Sequence, residues 1–207
     1  MPRNTKETNA EELFELLASI SKYIEEKIKM YALGGTALTL LKLKPSTLDI
    51  DINIHSDNEY HYVYELFEQI GFKKIGMIRW LTQEGLAIDL FTGSNFLGTQ
   101  LLPDCLEKAK FIKAFGNIEL YTLCLEDIII SKIARGDERD FIDIKTVLDT
   151  QKIDLNYLAV RYKETMENSA VAFYKQKFLD LIEIKFSQWK RKLDETLISE
   201  VKQWEEY

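Results

Sequence analysis

The stretch LGGTALTLLKLKPSTLDIDINI at residues 33–54 decides the fold that we predict, together with LAIDLF at residues 86–91. MYAL at 30–33 is short and apolar, and two glycines and an apolar segment that can begin a helix follow it. LDIDINI at 48–54 alternates between polar and apolar residues, as a strand with one buried face does. We therefore predict a strand, a glycine turn, a helix and a second strand.

Three aspartates occupy polar positions of the predicted strands. Asp49 and Asp51 lie on the same face of the strand at 48–54, and Asp89 stands between two apolar residues in LAIDLF. Like charges side by side on a strand repel each other, and a divalent cation removes this conflict. Mg²⁺ prefers oxygen ligands and keeps water molecules that substrate phosphates can displace. The pattern predicts that Asp49, Asp51 and Asp89 bind Mg²⁺ or Mn²⁺ for phosphoryl or nucleotidyl transfer.

The glycine turn, Gly34, Gly35 and Thr36, lies between the predicted strand and the predicted helix. Backbone N–H groups at a helix N-terminus can hold a phosphate, and glycine lets the backbone approach it closely. The turn is therefore predicted to contact the phosphates of a nucleotide. Two alternatives stay open at this point: the glycines form a turn only, and the aspartates are solvated strand ends.

The remaining sequence indicates further helices and strands around this centre. Asn9 and the glutamate three positions later predict a capping box and a first helix, and Asp57 is a candidate cap for another helix. Hairpins are predicted about residues 84–85 and 116–117, and helices from residue 125 onward. We expect an α+β fold with a mixed β-sheet flanked by helices.

The predicted domain comprises residues 1–149, and a C-terminal helical region at 150–207 packs on it. No tract rich in proline, glycine and serine separates the two. The formal net charge of −7 argues against non-specific binding to nucleic acid. No apolar run approaches the roughly 20 residues of a membrane span, and the two cysteines have no metal-ligand spacing. We expect a cytoplasmic protein without a membrane partner.

The glycine turn, the paired aspartates and the later strand aspartate together resemble the DNA polymerase beta-like nucleotidyltransferase superfamily. The sequence is most similar to its small prokaryotic members, including AbiEii-type toxins. These share a GGTAL opening and a later helical lysine followed by an RDxxD-like segment, here EDIIISKIARGDERDFIDI at 126–144. The resemblance covers residues 31–148.

This resemblance implies a nucleotidyltransferase fold and adds site residues from the helical segment. Lys132 is implied to have a catalytic role and, with Asp140 and Asp143, to support nucleotide or acceptor binding. Other interpretations come from the residues themselves. Lys132 could extend from an apolar helix to solvent, and Asp137 or Asp140 could cap the next helix. Asp143 could pair with Arg139 four positions earlier.

The predicted function is Mg²⁺-dependent transfer of a nucleoside monophosphate from an NTP to a hydroxyl acceptor. The acceptor could be RNA such as tRNA, a protein or a small molecule. The likeness to AbiEii-type toxins also implies a role as the toxin of a toxin–antitoxin pair, with an antitoxin as partner. The alternative is a non-catalytic nucleotidyltransferase-like module that binds a nucleotide or a protein.

Overall fold

The computed structural model of the chain describes residues 7–96, 98–169, 171–192 and 194–205. The α-helices are α1 (Ala10–Ile20), α2 (Gly34–Leu40), α3 (Asp57–Gln69), α4 (Leu125–Arg135), α5 (Glu138–Thr150), α6 (Leu155–Ser169), α7 (Tyr174–Leu179), α8 (Phe186–Gln188) and α9 (Glu195–Lys202). The strands are β1 (Ile28–Ala32), β2 (Ile50–Ile54), β3 (Lys73–Lys74), β4 (Arg79–Leu81), β5 (Ala87–Thr92), β6 (Asn95–Phe96), β7 (Thr99–Gln100), β8 (Lys110–Phe115) and β9 (Ile118–Thr122). A π-helical segment, Asp180–Lys185, connects α7 to α8.

Seven strands of the described residues form one mixed sheet, in the order β3-β4-β5-β2-β1-β9-β8. β2 runs parallel to β5 and β1 runs parallel to β9, and the other neighbouring strands are antiparallel. Both predicted hairpins are present, as β4–β5 and β8–β9. The predicted α+β class, with a mixed sheet and helices, is confirmed.

The chain divides into two compact units. The first comprises Met1–Ser94 and Asp104–Cys124, and the second comprises Asn95–Pro103 and Leu125–Tyr207. The domain boundary predicted after residue 149 falls inside the second unit and stays a prediction. No helix in the described part of the chain combines the length and the apolar character needed to cross a bilayer.

In the first unit, the two faces of the central strands differ in chemistry. Ile52 of β2 and Leu90 of β5 pair in register, and both line a small apolar cavity with Leu17 of α1 and Phe67 of α3. Successive side chains of a strand point to opposite faces of the sheet. The intervening aspartates of β2 and β5 therefore project from the face opposite α1 and α3.

Helix ends in the first unit follow the predicted capping chemistry with one exception. The Asn9 side chain accepts hydrogen bonds from the N–H groups of Glu11 and Glu12, which confirms the capping box of α1. The cap of α3 is Ser56 and not Asp57, because Ser56 has the extended backbone of a cap and its hydroxyl accepts from Glu59 N–H. Asp57 is the first helical residue.

The turn between β4 and β5 is one residue longer than the predicted turn at 84–85. The N–H of Thr82 donates to the carbonyl of Leu86 (2.9 Å), and the N–H of Gly85 donates to the carbonyl of Thr82 (3.0 Å). Gly85 has φ of +79°, which glycine adopts without strain. The loop is therefore a three-residue connection, and the pairing of the two strands is shifted by one residue.

The second unit is built from α4 to α9 and the β6–β7 hairpin, which confirms the predicted helical character from residue 125 onward. Its apolar core includes a fully buried run on α4, Ile128–Ile130. A buried ion pair joins α4 to α6, because Arg161 Nε donates to Asp127 Oδ1 (2.6 Å) and Arg161 Nη2 to Asp127 Oδ2 (2.8 Å). Both charges of this pair are therefore satisfied inside the unit.

Candidate active site

A row of charged side chains crosses three neighbouring strands of the first unit. Asp51 of β2 pairs in register with Asp89 of β5, and Asp89 pairs in register with Arg79 of β4. Residues directly opposite each other on adjacent strands place their side chains on the same face. Asp49 lies one residue before β2 and belongs to the same cluster. The three predicted carboxylates are thus brought to one face of the sheet.

Arg79 binds two of these carboxylates at once. Its Nε donates to Asp89 Oδ1 (2.7 Å), and its Nη2 donates to Asp89 Oδ2 (2.5 Å). The same Nη2 lies 3.2 Å from Asp49 Oδ1. A bidentate guanidinium–carboxylate pair is among the stronger ion pairs in proteins. The sequence reasoning did not identify Arg79, although the structure places it in the middle of the predicted site.

The charges of the row stabilise one another. The hydrogen bonds to Asp89 raise the pKa of the Arg79 guanidinium above its ordinary value, and the charges of Asp89, Asp49 and Asp51 add to this against the effect of burial. The guanidinium is therefore a permanent cation. The Asp89 side chain is only 11% exposed, whereas those of Arg79 and Asp49 are 37% and 42% exposed. One side of the cluster is consequently open to solvent.

The donor types of this cluster suit a hard divalent cation. Within the described ranges, no group of three or more His, Cys, Asp or Glu side chains is arranged to hold a metal ion. However, Asp49 and Asp89 converge on the Nη2 atom of Arg79, so a positively charged group already occupies a position between two carboxylates. Carboxylate oxygens are the ligands that Mg²⁺ and Mn²⁺ prefer. The residues therefore fit such an ion if the guanidinium is displaced.

The residues of the predicted glycine turn lie next to the aspartates, but Gly34 and Gly35 are the first two residues of α2, and only Leu33 separates that helix from β1. Gly34 has φ of +49°, which is unfavourable for residues with a Cβ atom. Leu33 is the N-cap and provides no side-chain hydrogen bond. Because the first N–H groups of a helix have no partner within the helix, those of Gly34, Gly35 and Thr36 have no acceptor inside α2. This arrangement is compatible with the predicted phosphate contact.

The Thr36 hydroxyl connects this turn to the aspartate strand. Its Oγ1 donates to the carbonyl of Asp49 (3.1 Å) and accepts from the N–H of Asp51 (2.9 Å). Thr36 is fully buried. The side chain therefore positions the backbone that carries both aspartates, and the predicted phosphate contact of Thr36 would have to come from its backbone N–H.

Gly35 is required by the close approach of Thr47. A Cβ atom at Gly35 would lie 2.9 Å from Thr47 Oγ1 and 3.7 Å from the Nζ atom of Lys44. Thr47 Oγ1 donates to the carbonyl of Asp49 (2.9 Å), so it cannot move without disturbing the aspartate segment. The Lys44 ammonium adds a positive charge beside the turn, which favours an anionic ligand there.

We expect Gly35→Ala to destabilise the protein by about 1–3 kcal/mol, because the added methyl group overpacks the contact with Thr47. Urea unfolding of the single variants Gly35→Ala and Thr47→Ala and of the double variant measures this effect. Removal of Oγ1 in the Thr47→Ala background should relieve the clash, so the two substitutions should cost less together than the sum of the single costs. Additive costs would contradict the contact.

The predicted helical residues form a separate buried cluster in the second unit. Lys132 of α4 is 2% exposed, and its Nζ donates to Asp143 Oδ2 (2.6 Å) and Asp140 Oδ1 (3.2 Å), both on α5. Arg135 Nε donates to Asp140 Oδ2 (2.7 Å), and Arg135 Nη2 also contacts Asp140. Lys132 does not extend to solvent, and the Asp143 carboxylate binds Lys132 in place of the predicted partner Arg139.

Asp140 is the centre of this cluster. Burial alone would raise the pKa of its carboxyl, but the hydrogen bond from Arg135 and the charge of Lys132 outweigh burial and lower the pKa below its ordinary value. Asp137 is the N-cap of α5, and Asp140, the third helical residue, completes the capping box because its Oδ2 accepts from the N–H of Asp137 (3.3 Å). The nucleotide contacts predicted for Lys132, Asp140 and Asp143 stay predictions, and Lys132 would need to leave these carboxylates to make one.

Comparison with known proteins identifies the fold and a family. The model of a family described as "Nucleotidyltransferase of unknown function (DUF6036)" matches residues 11–194. No curated protein matches the sequence. An antigenic nucleotidyltransferase-like protein from Paracoccidioides brasiliensis has a similar structure, with 14% identity, a TM-score of 0.52 and coverage of 93% of this chain and 99% of that chain. This likeness supports the predicted nucleotidyltransferase fold.

A second solved structure, a lincosamide antibiotic adenylyltransferase bound to lincomycin, is 19% identical. Its TM-score is 0.46, and the match covers 69% of this chain and 98% of that chain. The family match and the fold confirm the predicted nucleotidyltransferase superfamily. The closer relation to AbiEii-type toxins stays a prediction.

Proposed function

Because the chain belongs to the DUF6036 family of nucleotidyltransferases, we propose that it transfers a nucleoside monophosphate from an NTP to a hydroxyl group in a magnesium-dependent reaction. The observation that carries the proposal is the register of β2 and β5, which sets Asp51 directly beside Asp89. Asp49 supports it, since its carboxylate shares the guanidinium of Arg79 with that of Asp89.

The proposed roles follow from the position of each group. Asp49, Asp51 and Asp89 would hold Mg²⁺ or Mn²⁺, which when bound neutralises phosphate charge and polarises the α-phosphate. The N–H groups of Gly34 and Gly35 would seat the phosphates of the NTP. Asp89 would also help to activate the acceptor hydroxyl.

The bond changes of the reaction are those of a nucleotidyl transfer. The acceptor oxygen bonds to the α-phosphorus, the bond from that phosphorus to the bridging oxygen breaks, and pyrophosphate leaves. The hydroxyl proton passes to a carboxylate of the site, and we assign this role to Asp89. The helical residues Lys132, Asp140 and Asp143 are proposed, on the sequence resemblance, to support nucleotide or acceptor binding.

We propose RNA such as tRNA, a protein or a small molecule as the acceptor. The GGTAL opening and the helical lysine followed by an RDxxD-like segment support a further proposal, in which the chain is the toxin of a toxin–antitoxin pair. A cognate antitoxin would then be its partner. The acceptor is tested by finding whether RNA, protein or a small molecule receives the nucleotide.

The test is a labelling assay with the purified full chain. Each of the four NTPs, labelled at the α-phosphate, is incubated with total RNA, with protein or with a small-molecule extract, in magnesium or in chelator. We expect label in one acceptor fraction with magnesium. The transfer rate should fall at least about tenfold in chelator, because the metal lowers the activation free energy by several kcal/mol. Equal transfer in chelator, or no transfer from any NTP to any fraction, would overturn the proposal.

A further inference from the structure

Arg79 places a positive charge between carboxylates that the proposed reaction assigns to a metal ion. We propose that Arg79 is a counter-ion that competes with the metal for Asp89 and Asp49. When metal and nucleotide bind together, its guanidinium leaves the carboxylates and pairs with the triphosphate. This inference rests on the proposed function. Arg79 would thereby make metal binding depend on the nucleotide.

The competition follows from the oxygens that Arg79 uses. Both carboxylate oxygens of Asp89 accept a hydrogen bond from the guanidinium, and one oxygen of Asp49 lies within 3.2 Å of it. A divalent ion bound to these oxygens would lie only a few ångströms from a permanent positive charge. Two like charges at such a distance repel each other, and the repulsion is strongest where water is excluded. The metal and the guanidinium therefore cannot both keep their best positions.

The backbone around Arg79 allows the guanidinium to leave and to stay near the site. Arg79 is the first residue of the three-residue strand β4, and its pairing with Asp89 fixes its Cα position on the sheet. Its side chain is more than one-third exposed, so the guanidinium can turn toward solvent without passing through the core. Because Arg79 pairs with Asp89 on the sheet, its guanidinium stays near the aspartates when it turns away from them.

The triphosphate of an NTP can replace the two carboxylates as the anionic partner of Arg79. The planar guanidinium donates two parallel hydrogen bonds, and this fork fits a phosphate as well as it fits a carboxylate. In the free protein, Arg79 lowers the mutual repulsion of the aspartates. With metal and nucleotide present, the metal takes over that task and Arg79 pairs with phosphate. Metal and nucleotide binding are therefore expected to be positively coupled, and the coupling is reciprocal.

The first test measures Mn²⁺ binding to the full chain without nucleotide, by electron paramagnetic resonance of the free ion. We expect Arg79→Gln to bind Mn²⁺ about fivefold more tightly than the wild type, because the ion no longer has to displace a partly exposed ion pair. Lys73→Gln on β3 is the matched control, because it removes the same charge from an exposed position. Its Mn²⁺ affinity should stay close to that of the wild type.

The second test repeats the titration with α,β-methylene analogues of the four NTPs, after subtraction of Mn²⁺ binding to each analogue alone. At least one analogue should raise the Mn²⁺ affinity of the wild type, and this gain should be smaller in Arg79→Gln. Arg79→Lys retains the charge without the fork, so its Mn²⁺ affinity without nucleotide should lie between those of the wild type and Arg79→Gln. If Arg79→Gln does not fold, Arg79→Lys carries the comparison.

The outcomes separate this inference from the proposed function. Mn²⁺ binding that is equal or weaker in Arg79→Gln, with clear binding to the wild type, would overturn the role of Arg79 and leave the metal site intact. Absence of Mn²⁺ binding from both proteins, with and without nucleotide, would overturn the metal site and with it the role of Arg79. A general loss of structure would weaken metal binding, so tighter binding in the variant cannot come from unfolding.

Discussion

Replacement of Asp51 by Asn is expected to lower the rate of nucleotidyl transfer by at least about a hundredfold, and by more if a bound metal depends on this carboxylate. The amide keeps the size of the side chain and removes the charge that faces the position of Asp89. The backbone N–H of residue 51 can still donate to Thr36. Single-turnover transfer from the NTP identified in the labelling assay measures the effect.

The stability of the Asp51→Asn variant distinguishes a functional carboxylate from a structural one. Removal of the charge ends the repulsion from the neighbouring carboxylates and also the attraction to Arg79. Because these effects oppose each other, the free energy of unfolding in chelator should stay within about 1 kcal/mol of the wild type. The stabilisation by magnesium should be lost, because a ligand stabilises only the state that binds it. Melting curves in chelator and in magnesium give both quantities.

Glu68→Gln is the matched control for this prediction. It makes the same carboxylate-to-amide change at an exposed position of α3, on which the proposed site does not depend. Transfer rate and magnesium response of this control should equal those of the wild type. An Asp51→Asn protein that is destabilised in chelator but keeps its magnesium response and its transfer rate would contradict the assignment of Asp51 to the metal site.

The sequence was sufficient to predict that the three carboxylates share one face of the sheet, because they occupy polar positions of alternating strands. Alternation in LDIDINI puts polar and apolar residues on opposite faces, and the structure buries Ile50, Ile52 and Ile54. The end of β1 was also predictable, since two glycines before an apolar run mark a change of element, but the structure includes Gly34 and Gly35 in α2 as its first two residues. These features depend on residues close in sequence.

Arg79 was not predicted because its position depends on the length of one turn. A two-residue turn at 84–85 would set Trp80 opposite Asp89, whereas the observed three-residue turn sets Arg79 there. A shift of one residue moves every side chain of a strand to the other face of the sheet. The signal was present in the pattern of the hairpin, since only this register buries Trp80 and exposes Arg79 to the aspartates.

The burial of Lys132 could not be predicted from the sequence for a different reason. A lysine among isoleucines on a helix can extend to solvent or pair inside the protein, and the choice depends on residues of another helix. Here Asp140 and Asp143 of α5 both bind Lys132, and Arg135 also binds Asp140. The pairing is tertiary, so periodicity along α4 alone could not predict it.

Lys132→Met is therefore expected to destabilise the protein by about 3 kcal/mol, because it leaves buried carboxylates without one of their cations. Urea unfolding measures the change in the free energy of unfolding. Lys145→Met is the matched control, since Lys145 pairs with Asp149 on the surface of α5 and such pairs contribute at most about 1 kcal/mol. The double variant Lys132→Met/Asp143→Asn removes one cation and one anion together and should recover part of the lost stability.

Nucleotide titration of these variants then tests the role that the sequence resemblance implies for Lys132. In the double variant, the charges of the cluster are again balanced, so a defect in NTP affinity would not follow from an unpaired carboxylate. A double variant with wild-type stability and weakened NTP binding supports a direct contact between Lys132 and the nucleotide. A stable double variant with normal NTP affinity assigns Lys132 to structure alone. A Lys132→Met protein as stable as the wild type would instead contradict the buried network, because loss of a buried cation that binds two carboxylates should cost stability.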